Sequence, residues 1–328
     1  ISSFFVVKFS DFDGFRAVTD VVRHIGDGRD HVEYFAWAAQ TRRNLHRQDP
    51  AFGAATGIRV TDDDAYVANL GVRGSKYLGG GMQHDLYWGV RAAQELIPER
   101  TTKTEPLGGG AETTLADIDF SLTALSAHVD DTLRPIEDLL VTAGVRAEWA
   151  SLEGEDGVTS ESEEDDDLEL LPGIGASYAL SDWGAVFANY QQSFRAPQAF
   201  GLDTSVPDPE QALDFEQGQS WELGVRADTD AGFSGSLAAF EVDFDDVLFF
   251  NSAGLYENLG SIETRGVDLV LGYDLAAASS RLAGLSVQGS LTFQDAEIVA
   301  AIDPANDGNE VPYAWEQKAA WSVQYESE

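Results

Sequence analysis

"SWELGVRAD", residues 220–228, alternates without a break. Ser220, Glu222, Gly224, Arg226 and Asp228 form one set, and Trp221, Leu223, Val225 and Ala227 the other. Successive side chains of an extended strand point to opposite faces, so this stretch predicts a strand with one polar and one apolar face. In 139–149, Leu139, Val141, Ala143, Val145, Ala147 and Trp149 alternate with a set that includes Thr142, Gly144, Arg146 and Glu148. In 285–294, Leu285, Val287, Leu291 and Phe293 alternate with Ser286, Gln288, Ser290, Thr292 and Gln294. Residues 66–73, 82–92, 117–124, 236–245 and 265–275 follow the same period. No helical 3.6-residue period runs over a comparable length.

The spacing between these runs carries the second signal. Short turns are predicted near 77–82, 131–137, 181–184, 228–232 and 276–283. Long polar segments lie between them, near 44–62, 97–114, 151–168, 196–218, 246–260 and 296–312. A soluble sandwich has no reason to keep this long–short rhythm, whereas a membrane barrel has short turns on one side and long loops on the other. The predicted strands run about 11–14 residues, longer than the usual ~5–6 of soluble sheets and sufficient to cross a bilayer at a tilt. About 14 runs are counted, the first two being 3–10 and 15–24. The fold expected is all-β: an antiparallel transmembrane β-barrel, present in part, as about 14 strands of a larger, 22-stranded barrel. The polar face then lines a wet lumen and the apolar face meets lipid. Trp88, Trp149, Trp183, Trp221 and Tyr273 fall near strand ends, where an interfacial aromatic girdle belongs.

Composition narrows the partners. Twenty Lys+Arg against 57 Asp+Glu give a net charge of −37 over 328 residues. Such a balance argues against nucleic acid, whose phosphates need a basic surface, and against attachment to anionic lipid through basic residues. There is no cysteine, so disulfides, zinc thiolates and a cysteine nucleophile are excluded. No apolar run reaches the ~18–20 residues of a membrane helix, which leaves barrels untouched. The chain opens on "ISSFFVVKFSDFDG", with no Met, basic n-region or cleavage site. It closes on "WSVQYESE" in mid-alternation. Both ends are expected to be cuts in a longer protein, with the whole of 1–328 a partial barrel domain.

Four segments then carry a resemblance: "FANYQQSFRAPQ" (187–198), "SWELGVRAD" (220–228), "NLGSIETRGVDLVLGYDL" (258–275) and "VPYAWEQKAAWSVQY" (311–325). In order and spacing they resemble the barrel of TonB-dependent outer-membrane receptors, and "LLVTAGVRAEW" (139–149) has a counterpart there too. The resemblance implies active uptake of a scarce, bulky nutrient, and a ferric siderophore or ferric citrate branch is the one expected. Its partners would be a ferric chelate, the lipid bilayer and, through a missing N-terminal segment, the TonB complex. The family's plug domain, TonB-box peptide and closing strands are not in this sequence. Pro197 has no N–H for a ladder, so 189–195 is read as a strand rising to the outer rim and Pro197 as the start of a ligand-side loop. Gly224 and Gly266 fall on the polar face, where a missing side chain lets a neighbouring backbone or plug approach.

The candidate ligand contacts follow from that rim. Arg195 is the cation at the strand end, and a guanidinium forks onto carboxylate oxygens; the alternative is an ion pair across the rim. Gln198, Asn251 and Tyr256 are further loop donors. Arg73, Arg91, Arg146 and Arg226 are expected on the lumen face, either guiding an anionic ligand or forming a salt-bridge ladder. Asp243, Asp245 and Asp246 suggest a rim position. "EGEDGVTSESEEDDD" (153–167) holds nine carboxylates, read as a solvated acidic loop with calcium as the alternative. Haem receptors of the family carry a histidine after the "FRAP"-like motif; His24, His31, His46, His84 and His128 all lie elsewhere, which argues against haem. No nucleophile–base pair, phosphate loop or metal-ligand spacing is present, so no enzyme, resident cofactor or metal is expected. The competing readings are a passive porin or other outer-membrane barrel, and a soluble β-sheet binding protein.

Overall fold

The computed structural model describes residues 6–25, 30–48, 57–80, 82–106, 110–195, 215–250, 256–301, 304–312 and 314–326. They form one sheet of 13 strands in sequence order, every neighbouring pair antiparallel. The strands are β1 (Val6–Ile25), β2 (Asp30–Gln48), β3 (Gly57–Leu78), β4 (Gln83–Pro106), β5 (Thr113–Ile136) and β6 (Leu139–Asp156). They continue as β7 (Glu161–Ser181), β8 (Gly184–Arg195), β9 (Glu216–Asp228), β10 (Phe233–Phe250), β11 (Tyr256–Asp274), β12 (Leu285–Ala301) and β13 (Gln317–Tyr325).

Thirteen strands replace the fourteen expected because 3–10 and 15–24 belong to one strand. A bulge between Phe9 and Asp11 shifts the register within β1, which breaks the phase of the alternation without ending the strand. The turn expected at 131–137 moves to the end of that range, since β5 runs through Ile136 past a register shift at Leu133/Ile136.

The pairing aligns like with like. One cross-strand row runs Tyr178–Val186–Val225–Leu237–Leu269–Leu291. The row three residues from it, on the opposite pleat face, is Gly175–Asn189–Glu222–Phe240–Gly266–Gln294. Accessibility then inverts the order of a water-soluble sheet. In β9 the polar-set residues Glu216, Gly218 and Gly224 are buried, while Trp221, Leu223 and Val225 are 54%, 65% and 48% exposed. The polar set is the occluded one, so the sheet curls toward it and turns its aliphatic side outward. Exposed apolar rows spanning many strands are untenable in water and expected in hydrocarbon.

Aromatic rings mark the two ends of that apolar band. Trp221 and its ring partner Tyr190, with centroids 4.2 Å apart, lie level with Glu241 of β10. Tyr273 lies level with Phe233. The eight residue-to-residue steps from Phe233 to Glu241 measure about 26 Å along a strand, near the height of a membrane barrel's apolar band.

On the inner face, rings cover glycines. Phe35 lies opposite Gly71, Phe187 opposite Gly224, Phe240 opposite Gly266 and Phe244 opposite Gly218. A Cβ built on Gly224 would stand 2.5 Å from Phe187 Cζ, and one on Gly218 2.8 Å from Phe244 Cε1. The close approach expected at Gly224 and Gly266 is made by a neighbouring backbone carbonyl, Leu237 O at 2.8 Å and Phe293 O at 2.6 Å from an added Cβ, together with a ring from the next strand. This cross-strand pair covers the bare backbone and holds the register.

On the long-loop side, much of what reads as loop is strand. β2 and β3 continue to Gln48 and from Gly57, β4 ends at Pro106, and β6 and β7 enclose only a four-residue turn, 157–160. Cross-strand polar pairs hold these extensions, as Arg42–Asp64, Arg43–Asp63 and Asn44–Asp62 do between β2 and β3. Bulges at Asp63/Tyr66 and Ile97/Arg100 accompany a small inward-facing core of Ile97, Ala116, Ile118, Phe120 and Leu152, each at most 5% exposed.

The two faces give a direct expectation. Val225→Arg places a charge against hydrocarbon and should cost about 2–4 kcal/mol near the midplane, whereas Gln288→Arg faces the lumen and should cost little. Equilibrium refolding of the full-length protein into lipid vesicles compares the two.

Candidate ligand-binding face and lumen

The lumen face brings three of the four predicted arginines into ion pairs. Arg73 forks onto Glu33, with Nε and Nη2 donating at 2.9 and 2.8 Å. Arg91 donates to Glu148 Oε1 at 3.2 Å, and Arg146 pairs with the other oxygen of the same carboxylate. Glu148 lies next to Ser126 and Glu169 in its row, with Arg91 two strands away. Glu33 lies 40 residues from Arg73 and Glu148 lies 57 from Arg91, so alternation located these two arginines but not their partners, whereas Arg146 meets a carboxylate two residues on in its own alternation set. Arg226 differs: it donates to Ser177 Oγ at 3.0 Å, and no carboxylate pairs with it among the described residues. Asn189 donates to Glu222 at 2.9 Å, adding a neutral rung to the ladder.

At the rim, Arg195 ends β8 opposite Glu216, and the two form an ion pair. Glu216 is 5% exposed while most of the Arg195 side chain remains open to solvent. Phe194 stacks on Phe215 at 5.1 Å, clamping the same corner. Gln198 and Asn251 lie outside the described residues. Tyr256 opens β11 opposite Phe250. Of the predicted ligand contacts, the described part thus places Arg195 at its corner and Tyr256 at the start of β11.

Three further groups occupy the outer ends of the strands. Asp64 accepts two hydrogen bonds from Arg42 at 2.8 and 2.9 Å, which hold its carboxyl below the ordinary aspartate value. A carboxyl lowered on folding contributes stability above its unfolded pKa and loses it as the pH falls through the folded one, so this contribution is complete at neutral pH. The pair is solvent-exposed and contributes little in any case. On the outward face just beyond Trp221, carboxylate oxygens of Glu241, Asp243 and Glu263 lie within 4.8 Å of one another. Arg265 donates to Glu241 at 2.8 Å and to Glu263 at 2.7 Å, and Gln219 donates to Asp243 at 3.1 Å. The rim position expected for Asp243, Asp245 and Asp246 agrees with this placement; Asp246 has φ 57° at the bulge after Phe244.

The acidic segment 153–167 is a hairpin, not a loop. Asp156 is 2% exposed and its Oδ1 accepts from the backbone N–H groups of Asp117 and Val158 at 3.0 and 2.9 Å. That side chain closes the turn and ties it to β5. Glu153 stands directly opposite Glu164, a like-charge pair that opposes the ladder. His46 sits on β2 opposite Val60, within a strand rather than the loop the sequence suggested.

An antiparallel sheet with an apolar exterior, aromatic borders and an ion-paired polar interior defines a transmembrane β-barrel wall. The particular family follows from the match of residues 8–328 to the family described as TonB dependent receptor-like, beta-barrel: the chain belongs to it. It is accordingly an outer-membrane barrel and not an enzyme. Among similar proteins, the ferrichrome outer membrane transporter/phage receptor of Escherichia coli K12 is 25% identical over 164 residues, 49% of this chain and 20% of that protein. The unliganded ferric citrate transporter FecA superposes with a TM-score of 0.78 at 21% identity, over 96% of this chain and 47% of that one. The ferric-catecholate import receptor Fiu of E. coli K12 superposes at 0.73 and 17% identity, over 95% and 51%. The chain thus spans about half of each solved structure, and the likeness to those two shows the fold.

The Arg195 corner generates the second expectation. Arg195→Ala leaves the buried Glu216 carboxylate without its cation and should cost about 1–3 kcal/mol. Adding Glu216→Gln should recover most of that loss. Thermal melting of the full-length protein and its two variants reads both effects.

Proposed function

We propose that the protein is an energy-coupled outer-membrane importer of a ferric chelate, of the siderophore or ferric citrate type. The observation that carries this reading is the family match along almost the whole chain. Relatives named for ferrichrome, ferric citrate and ferric-catecholate support the ligand class. In this reading the sheet is one part of a closed, 22-stranded barrel, and coupling to TonB resides in a segment outside these 328 residues.

The ligand enters from the side of the long connections. Ferric chelates are frequently anionic, and a protein of net charge −37 repels them except where cations are concentrated. Arg195, with its side chain 59% exposed beyond its pair with Glu216, is the leading contact. Gln198, Asn251 and Tyr256 supply neutral hydrogen bonds from the flanking segments. Further in, Arg226 is the arginine of the lumen set that meets a hydroxyl instead of a carboxylate, leaving it available to the passing anion. Arg73, Arg91 and Arg146 are neutralised by Glu33 and Glu148 and serve the wall.

Uptake of radiolabelled ferric chelates by cells expressing the full-length gene tests the proposal. Accumulation should require the gene and stop when a protonophore collapses the proton-motive force. Accumulation that persists without that force indicates a passive pore. With the transported chelate identified, Arg195→Lys should weaken its binding by about 1–3 kcal/mol, because an ammonium retains the charge but not the fork; unchanged affinity removes Arg195 from the site.

A further inference from the structure

The arginines of the inner face stand beside carboxylates. Arg73 is forked onto Glu33, and Arg91 and Arg146 share Glu148. At the rim Arg195 pairs with Glu216. Arg226 donates to a hydroxyl, yet it lines an inner depression of about 480 Å³ together with Asp182 and Asp228. Toward β13, the row Gly224–Ala238–Asp268–Thr292–Lys318 again sets one carboxylate with one cation.

Further carboxylates have no such counterweight in their rows. The outer end of β7 turns Asp165, Asp167 and Glu169 to the inner face, opposite Leu152, Ala150 and Glu148. Gln217 Nε2 donates to Glu169 Oε1 at 2.7 Å, which ties that carboxylate across the end of β8 to the strand of Glu216. A solute passing Arg195 therefore meets one guanidinium, its side chain 59% exposed, between the carboxylates of β7 and Glu216 of β9. A concave wall lined by one sign of charge focuses its field on what enters.

Ferric chelates differ in how they meet such a field. A hydroxamate binds iron after losing one proton, and a catechol after losing two. Three hydroxamates cancel the three positive charges of the metal, whereas three catecholates leave three negative charges over. Carboxylates facing the entry path discriminate against the second kind by like-charge repulsion. A single guanidinium fork serves one pair of oxygens, which a neutral complex presents as well as a charged one.

We propose that this face admits ferric chelates of near-zero net charge, with iron held by hydroxamate-type oxygen pairs, and rejects trianionic tris-catecholates. The carboxylates of β7 act as the filter, and Arg195 supplies one directed contact. The inference rests on the uptake reading and narrows its ligand class.

Two synthetic ferric complexes built on one tripodal scaffold test it, differing only in hydroxamate or catecholate arms. Their binding to the full-length protein in zwitterionic nanodiscs is read from quenching of tryptophan fluorescence. At low salt the tris-hydroxamate should bind about tenfold tighter or more, as when only its competitor meets like charge. The gap should shrink as salt is raised toward about 1 M, where the screening length falls to about 3 Å. The Asp167→Asn, Glu169→Gln double variant should shrink it too, by strengthening catecholate binding. Equal or tighter binding of the tris-catecholate, or a gap indifferent to salt and to the double variant, overturns the proposal and leaves energy-coupled uptake standing. Binding of neither complex also overturns it, and the uptake reading falls with it only if no ferric chelate accumulates in cells.

Discussion

Everything in this structure depends on pairing backbone N–H and C=O groups inside hydrocarbon. An unpaired peptide group there costs several kcal/mol, and no water is present to satisfy it. Antiparallel strands in sequence order meet that demand with each strand bonded to both neighbours, and β2 to β12 are paired on both sides. The described sheet has two edges, β1 and β13, and a sheet that spans lipid has to pair those edges too. Closure also fixes the fate of the two faces, because a curled sheet has an inside. The apolar rows through Val225 and Leu237 then solvate the barrel in lipid, and the rows through Glu222 and Gly266 line it.

The inner face is where composition and pairing meet. A chain with nearly three acidic residues for every basic one has few cations to place. Arg73, Arg91 and Arg146 are spent inside, each against a carboxylate. Glu148 serves two guanidiniums at once, so it holds β4 and β6 to a common point across β5. The phenylalanines over Gly71, Gly218, Gly224 and Gly266 do for register what these ion pairs do for charge. A slip of one residue would face each ring toward lipid and strip each glycine. Arg195 keeps most of its side chain open at the strand end beside Glu216, and Arg226 meets a hydroxyl on the inner face, which is why the uptake proposal turns on them.

Much of this wall was legible in the sequence. Period-two alternation fixes the strands and their faces, and the long–short rhythm fixes the direction of the hairpins. Both survive averaging over a whole strand. What failed to show were features decided across strands. Residues 3–10 and 15–24 read as two runs because the bulge at Phe9/Asp11 breaks the phase. The stretches around Asp62–Asp64 and 153–167 read as loops because polar alternation carries no apolar signal, although Arg42 and Arg43 pair the first and the Asp156 side chain pins the second. Glu216 as the partner of Arg195 lies beyond an intervening polar segment, and nothing local announces it. The aromatic–glycine pairs leave only single residues in each strand, and their meaning appears when the register is known.

The central claim is that one set of β9 side chains faces lipid and the alternate set faces water. These 328 residues hold no cysteine of their own, so within them each introduced cysteine is a unique label site. Nitroxide labels placed one at a time from Gln219 to Asp228 in the full-length protein, reconstituted in bilayers, can be read by collision with oxygen, which concentrates in lipid, and with a polar nickel chelate, which stays in water. The account predicts two period-two profiles in opposite phase, with oxygen maxima at Trp221, Leu223 and Val225 and nickel maxima at Ser220, Glu222 and Gly224. Profiles that rise and fall together, or that lack the two-residue period, would contradict it.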